Sequence, residues 1–257
     1  MVTLIRPGQR IISPPGVRVI SGTQAARGAG VDYIAKVLTY SPIAYWPLNE
    51  TSGATADNAE GTAAMDGTYT GVTLNNATGP DGSNGAPLWN GADYLNIYST
   101  DLRDAFSGAT GTVMIWLKVS GAGVWTDGNY HLGMRLFSDG SNLIDIRIKN
   151  SSSHLEYIYA AAGTIETVTF AASSTAWFHT AITWTKPGEE MKAFFNGSQA
   201  GSTQGTLGGF AGVLAAANTV IGAASTAAVL PWDGWIAHAA IWDSVKTPAE
   251  ILDLATV

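Results

Sequence analysis

The sequence predicts an all-β protein, an antiparallel two-sheet sandwich or jelly roll, preceded by an extended N-terminal arm and a short helix and closed by a short C-terminal helix. Three observations support this prediction. About a dozen segments alternate apolar and polar residues at roughly ten-residue spacing. Glycine- and asparagine-rich turn signals separate these segments. The chain of 257 residues contains 30 glycines, and only 13% of its residues are charged. This composition favours strands and turns over helices.

The first 31 residues contain one phrase twice, PGQRIIS at Pro7–Ser13 and PGVRVIS at Pro15–Ser21. This segment holds four arginines and no acid, whereas the remainder holds nine basic and twenty acidic residues, a net charge of −11. Two such short units cannot form a core, because an isolated hairpin is marginal in water. We therefore expect an arm that binds another subunit or protein by β-strand addition. The residues expected to make this assembly contact are Arg6, Arg10, Ile11, Ile12, Arg18, Val19 and Ile20.

A short helical segment and linker is predicted over residues 32–41, because apolar residues recur at helical spacing in VDYIAKVL and Pro42 follows. The sandwich is predicted over residues 42–257. GTVMIWLKVS and LIDIRIKN show the two-residue period of strands, and FNGS gives a tight hairpin turn at Asn196-Gly197. TPAEILDL predicts the last helix, with Thr247 and Glu250 forming a capping box.

Four stretches, met in order, carry a family resemblance: IAYWPLNETSGATADNAEGTAAMDGTY, PLWNGADYLNIYS, WFHTAITWT with MKAFFNGSQAGS, and WDGWIAHAAIWDSVKTPAEI. Together they resemble the laminin-G-like, concanavalin-A-like jelly rolls of lectins, adhesins and glycosidase accessory modules. The resemblance covers about residues 41–257. It implies a jelly-roll fold and a role in adhesion or glycan binding.

The sequence lacks the acid pair that would make a glucanase of this fold. Retaining glycoside hydrolysis needs two carboxylates about 5 Å apart, which an E-x-D-x-x-E strand would supply, and no such strand occurs. Glu189 and Glu190 are adjacent, so an extended backbone would point them to opposite faces. Asp145 and Glu156 are isolated acids on predicted strands. We therefore predict that the protein is not an enzyme, with a glycosidase as the third alternative.

The four histidines stand far apart with no metal-ligand spacing, and His179 is predicted to be a core residue. No cofactor is required by the sequence. The resemblance nevertheless implies a Ca²⁺ site, since laminin-G-like domains often hold one calcium ion near a sandwich edge. Asp57 matches one ligand position. The acid expected in the strand at 236–239 is missing, and Asp233 is the candidate substitute.

Sugar binding requires an exposed aromatic ring beside polar side chains. Two glycine-rich stretches, GAGVWTDGNYH and LPWDGW, offer that combination. The alternative is that the nine tryptophans mostly fill the core. The candidate glycan-binding residues are Trp125, Asp127, Asn129, Tyr130, Trp232 and Trp235.

The N-terminus shows no signal peptide, no segment approaches transmembrane length, and the chain has no cysteine. An adhesion fold with these properties resembles virion surface components, such as phage head-decoration or tail proteins, which assemble in the host cytoplasm. We therefore expect a non-catalytic virion surface protein whose arm contacts virion proteins or other copies of itself, and whose sandwich contacts surface glycans. We expect neither nucleic acid nor membrane as a partner. The alternative is a free bacterial lectin-like or accessory carbohydrate-binding module.

Overall fold

A computed structural model describes residues 33–138, 142–150 and 152–257 of the chain. The repeated arm of residues 1–31 lies outside the described residues, and so do all seven residues expected to make its assembly contact. The described part is a sandwich of two antiparallel eight-stranded sheets, which confirms the predicted fold class. Within these residues no helix is both long and apolar enough to cross a membrane.

Three α-helices and sixteen strands are described and are numbered here in chain order. The helices are α1 (Tyr33–Thr39), α2 (Thr100–Ala105) and α3 (Pro248–Leu254). The strands are β1 (Ala44–Trp46), β2 (Thr55–Ala56), β3 (Gly67–Thr70), β4 (Thr73–Thr78), β5 (Asn84–Asn90), β6 (Tyr94–Asn96), β7 (Thr110–Val119), β8 (His131–Phe137), β9 (Leu143–Lys149), β10 (His154–Ala161), β11 (Thr164–Ala171), β12 (Phe178–Thr185), β13 (Glu190–Phe195), β14 (Ser198–Gln204), β15 (Val220–Ile221) and β16 (Asp233–Trp242).

The two sheets differ in connectivity. Sheet A has the order β14-β13-β12-β7-β16-β5-β4, and β1 also pairs with β16. Sheet B has the order β11-β10-β9-β8-β15-β6-β3-β2. Neighbouring strands that are distant in sequence, such as β7 and β16, give the long-range pairing of a jelly roll. The predicted turn joins β13 to β14, where Asn196 and Gly197 have φ of 47° and 79°. Both angles suit a two-residue hairpin turn.

The main core lies between the sheets and is rich in tryptophan. Trp46, Trp89 and Trp184 are fully buried there. They are joined by inward-facing residues that alternate along the strands, such as Ile144 and Ile146 on β9. Large buried aromatic side chains supply much of the apolar area that such a core removes from water.

A second apolar cluster covers part of the outer face of sheet A. Helices α1 and α3 pack there through Tyr33, Val37, Ile251 and Leu254 against Trp242 of β16. The Tyr33 hydroxyl donates to the carbonyl of Leu254 at 2.5 Å, which joins the two helices. The capping box of α3 is present as predicted. Helix α1 therefore packs within the same compact unit as the sandwich.

A bulge in β16 fixes the tip of the β4–β5 hairpin on the same outer face. The register of β16 against β7 shifts between Ala237 and Ala240, and His238 inside this shift has φ of 49°. The His238 Nδ1 lies 2.7 Å from the Tyr45 hydroxyl, and its Nε2 lies 3.5 Å from Oδ1 of Asp81 in the hairpin. Burial acts to raise the pKa of Asp81, but hydrogen bonds from His238 and a neighbouring serine outweigh it and lower that pKa.

Candidate functional site

Two of the predicted glycan-binding residues lie in the interior. Trp125 and Trp232 are 1% and 0% exposed. Their indole nitrogens donate to the backbone carbonyls of Ser174 at 3.0 Å and Lys118 at 3.3 Å. The expectation that these two tryptophans form exposed aromatic surfaces is therefore wrong, because the core between the sheets takes both rings and backbone carbonyls satisfy their N–H groups.

The polar residues of the first predicted loop are exposed but largely satisfied within the loop. Asp127 accepts a hydrogen bond from the backbone nitrogen of Asn129 at 2.8 Å, and its Oδ2 lies 2.9 Å from Nε2 of His131. Desolvation acts to raise the pKa of Asp127, and these hydrogen bonds lower it on balance. A carboxylate engaged in this way fixes the loop and has less capacity left for a ligand.

Tyr130 of that loop lies on the outer face of sheet B, where its ring is covered by a cation. The guanidinium of Arg147 lies 4.5 Å from the ring centroid. Arg147 also pairs with Glu156, its Nη2 lying 2.6 Å from Oε2. On the same sheet Arg135 pairs with Asp145 at 2.5 Å. The charged side chains of sheet B near Tyr130 therefore neutralise one another. Asp145 and Glu156, the two acids that the sequence places alone on strands, are each paired with an arginine.

Trp235 lies on the other sheet and is partly exposed, as predicted. Its indole nitrogen donates to Oδ1 of Asn76 on β4 at 2.9 Å. A second partly exposed tryptophan, Trp177, donates to the carbonyl of Thr78 on the same strand at 3.0 Å. One polar strand therefore holds two tryptophan rings in fixed positions on the outer side of sheet A.

The segment of β4 between these hydrogen bonds borders a groove of about 420 Å³. Its exposed side chains Asn75, Asn76 and Thr78 offer amides and a hydroxyl, and Thr51, which also lines the groove, adds a second hydroxyl. Partly exposed indoles beside amides and hydroxyls combine apolar contact with orienting hydrogen bonds. We define the β4 surface as the residues Thr51, Asn75, Asn76, Thr78, Trp177 and Trp235.

The C-terminal two thirds of the chain match a family model. Residues 90–252 match the model Laminin_G_3, described as the concanavalin A-like lectin/glucanases superfamily. The chain belongs to this superfamily. Comparison with curated proteins found no match.

Solved structures similar to this chain in fold include carbohydrate- and receptor-binding domains. Domain 4 of the Geobacillus stearothermophilus arabinanase AbnA, in complex with arabinotriose, has a TM-score of 0.62 at 17% identity over 84% of this chain and 98% of that chain. The botulinum neurotoxin serotype D binding domain has a TM-score of 0.59 at 15% identity. The match covers 84% of this chain, and this chain spans about half (51%) of the length of that domain. The CBM40 of a Ruminococcus gnavus sialidase, bound to α2,3-sialyllactose, has a TM-score of 0.53 at 13% identity over 66% and 96% of the two chains.

The calcium ligands expected from the superfamily resemblance lie on different sheets. Asp57 is exposed after β2 on sheet B, and its backbone nitrogen donates to Oε1 of Glu50. Asp233 begins β16 on sheet A. Across residues 33–138, 142–150 and 152–257, no three histidine, aspartate or glutamate side chains cluster in a way that would hold a metal ion. Calcium binding stays a prediction, which the change in Tm on adding EGTA would check.

His179 is a core residue, as its strand position predicted. It is fully buried beside Met114, whose sulfur lies 3.4 Å from Nε2, and Trp116, whose ring meets the imidazole edge to face. Burial lowers the pKa of His179 to about 3. The imidazole is therefore neutral at physiological pH and has no path to a substrate in solvent.

Sequence reasoning missed most of the β4 surface, although part of it was within reach. Strand parity separates Trp232 from Trp235, since residues an odd number apart point to opposite faces. Ile236 lies in the core, so parity puts Trp232 inside and Trp235 outside. The same argument puts Trp177 outside, next to the buried Phe178. No local pattern indicates that β4 would contact both tryptophans.

Proposed function

We propose that this superfamily domain is a non-catalytic carbohydrate-binding module and that its ligand contacts the β4 surface. The observation that carries the proposal is the pair of indoles, Trp177 and Trp235, hydrogen-bonded to one strand beside a groove lined by amides and hydroxyls. A sugar ring has an apolar C–H face that packs on an indole and a rim of hydroxyls that pair with amides. The β4 surface offers both kinds of contact.

The hydrogen bonds of the two indoles favour binding. Because each N–H is already used to hold the ring against β4, little side-chain freedom is lost when a ligand arrives. Immobilising a free side chain costs roughly 0.5–1.5 kcal/mol, so preorganised rings retain more of the contact energy. A rigid strand also positions a site more accurately than a loop does.

The proposal that the domain is not catalytic is supported by the ion pairs of the two acidic residues on strands, Asp145 and Glu156. Glycoside hydrolysis needs one carboxyl group that can give up a proton and a second that acts as nucleophile or base. Asp145 is fully buried and paired with Arg135, and Glu156 is paired with Arg147. Neither carboxylate borders the β4 surface, whose own side chains are amides, hydroxyls and indoles.

A glycan array followed by calorimetry on a bound oligosaccharide tests the proposal. Trp235→Ala and Trp177→Ala are expected to weaken binding at least about fivefold each, since a stacked aromatic ring with its buried area contributes about 1–3 kcal/mol. Tyr130→Ala, which alters a partly exposed aromatic residue next to the opposite sheet, is the matched control and should leave affinity unchanged. Loss of binding in Tyr130→Ala with retention in both tryptophan variants would place the site on sheet B instead.

We further propose that the arm of residues 1–31 anchors this module in a virion, as a head-decoration or tail component assembled in the host cytoplasm. The support is sequence-based: a tandem PGxR[IV]IS repeat with four arginines precedes a chain carrying a net charge of −11. Opposite charges favour contact between the arm of one copy and the body of another.

Sedimentation velocity on the full chain and on a variant lacking residues 1–31 tests the anchor. A discrete oligomer that becomes monomeric on truncation supports self-assembly through the arm. If the protein is instead a free bacterial carbohydrate-binding module, the full chain and the truncated variant should both be monomeric and should bind glycan with equal affinity. Co-purification with a virion then distinguishes an arm that binds a different virion protein from one that has no assembly role.

A further inference from the structure

Within the described residues Lys118 contacts an aromatic ring of the β4 surface but forms no ion pair. It sits on β7 directly opposite Trp235 of β16, and its ammonium lies 4.9 Å from the indole centroid. Asp233 is two residues from Trp235 on the same strand, yet it forms no ion pair with Lys118. Within the described residues no carboxylate lies within ion-pair distance of this ammonium and no side-chain hydrogen bond is made by it.

The other cations of the described chain are satisfied. Lys246, for example, donates to the carbonyl of Tyr40 at 2.9 Å. The remainder form ion pairs with aspartate or glutamate: Lys36, Arg103, Arg135, Arg147, Lys149, Lys186 and Lys192. In a body with a net charge of −11, a lysine that finds no acid is unusual, and here it touches an aromatic ring of the proposed site.

Resting on the proposed function of the β4 surface, we propose that its ligand is an acidic glycan whose carboxylate pairs with Lys118. The ammonium, which lies over the Trp235 ring, would meet the carboxylate, and the sugar would pack next to it against the indole. The surrounding amides and hydroxyls recognise hydroxyl groups but cannot neutralise a charge. The negative body repels anions elsewhere, so the lysine supplies the local attraction that selects this class of glycan.

The test uses the full chain and a panel of carboxylated oligosaccharides, each paired with its own methyl ester, measured by calorimetry. The acid form is expected to bind about five- to tenfold more tightly than its ester, as for a charge-assisted contact at a partly exposed site. Lys118→Gln should abolish the preference for the acid over its ester, and Lys118→Arg should retain it. Lys149→Gln, which removes a lysine already paired on sheet B, is the matched control. Added salt should weaken binding of the acid form alone.

The outcomes separate this inference from the proposed function. Equal binding of acids and esters, or a preference that survives Lys118→Gln, overturns the acidic-glycan inference; if Trp235→Ala still weakens that binding, the β4 surface stands as a site for neutral sugars. Failure of every acid and ester to bind, together with failure of a wider glycan array, overturns both proposals.

Discussion

Replacing the buried His179 with leucine should remove a large part of the acid sensitivity of this protein. The His179 pKa is about 3 in the folded state because burial disfavours the charged imidazole, whereas an unfolded histidine has a pKa of about 6.5. Between these values the unfolded chain binds a proton that the folded chain does not. The stability contributed by neutral His179 is therefore complete above pH 6.5 and declines as the pH falls towards 3.

The magnitude follows from the pKa difference. From pH 7 to pH 4.5 the free energy of unfolding should fall by about 3 kcal/mol through this one group, at 1.36 kcal/mol per pH unit below 6.5. In His179→Leu that loss disappears. The other ionisable groups are the same in the parent and in the variant, so their contributions cancel when the two changes in the free energy of unfolding are compared. At pH 7 the leucine variant should stay within about 1.5 kcal/mol of the parent, since within the described structure Nδ1 has no hydrogen-bond partner to lose.

Guanidinium unfolding at pH 7 and pH 4.5, followed by tryptophan fluorescence, measures the difference. His154→Gln, which changes a partly exposed histidine at the start of β10, is the control and should lose as much stability as the parent protein. Equal losses in the parent and in His179→Leu would refute the reasoning, because they would mean that folded His179 accepts a proton as readily as the unfolded chain.

Three further substitutions test the hairpin tip, the close contact between β5 and Asn49, and the helix cap. Asp81→Asn removes the anionic acceptor facing His238 and should lower the free energy of unfolding by about 1–3 kcal/mol; an unchanged urea midpoint would show that the tip is not held by this contact. Gly85→Ala places a methyl group 2.6 Å from the carbonyl oxygen of Asn49 at φ of 118° and should destabilise by more than about 2 kcal/mol, visible as reduced soluble yield and Tm. Thr247→Ala removes the N-cap hydrogen bond of α3 and should cost about 1 kcal/mol, with Thr247→Ser as the conservative variant that restores the parent Tm.

The sequence was informative where structure is set by local periodicity. The two-residue alternation of LIDIRIKN, the Asn196-Gly197 turn and the Thr247 cap each depend on neighbours within a few residues, and all were predicted correctly. Tryptophan placement depends on contacts far apart in sequence. Trp125 and Trp235 both lie near glycine-rich turns, yet one ring enters the core and the other lies on the surface.

The β4 surface could not be predicted from the sequence either, because its contacts also join residues that are far apart in the chain. Trp177 reaches Thr78 across 99 positions, and Trp235 reaches Asn76 across 159. Those contacts exist because of how the strands are ordered in sheet A, and no motif in TLNNAT records that order. The lack of an ion pair at Lys118 among the described residues is likewise visible only in the folded structure, which shows where the carboxylates lie.

The contact between α1 and α3 has a mechanical consequence. The Tyr33 hydroxyl and the Lys36 ammonium bind carbonyls of Leu254 and Thr256, so the first described helix and the end of the chain meet at one spot. Tension between the residue 33 end and the C-terminus would load this helix pair and leave the stacked sheets unstretched. A bulky tag at the C-terminus would sit beside helix α1, so fluorophores and affinity tags are better inserted in an exposed turn on the far side of the sandwich.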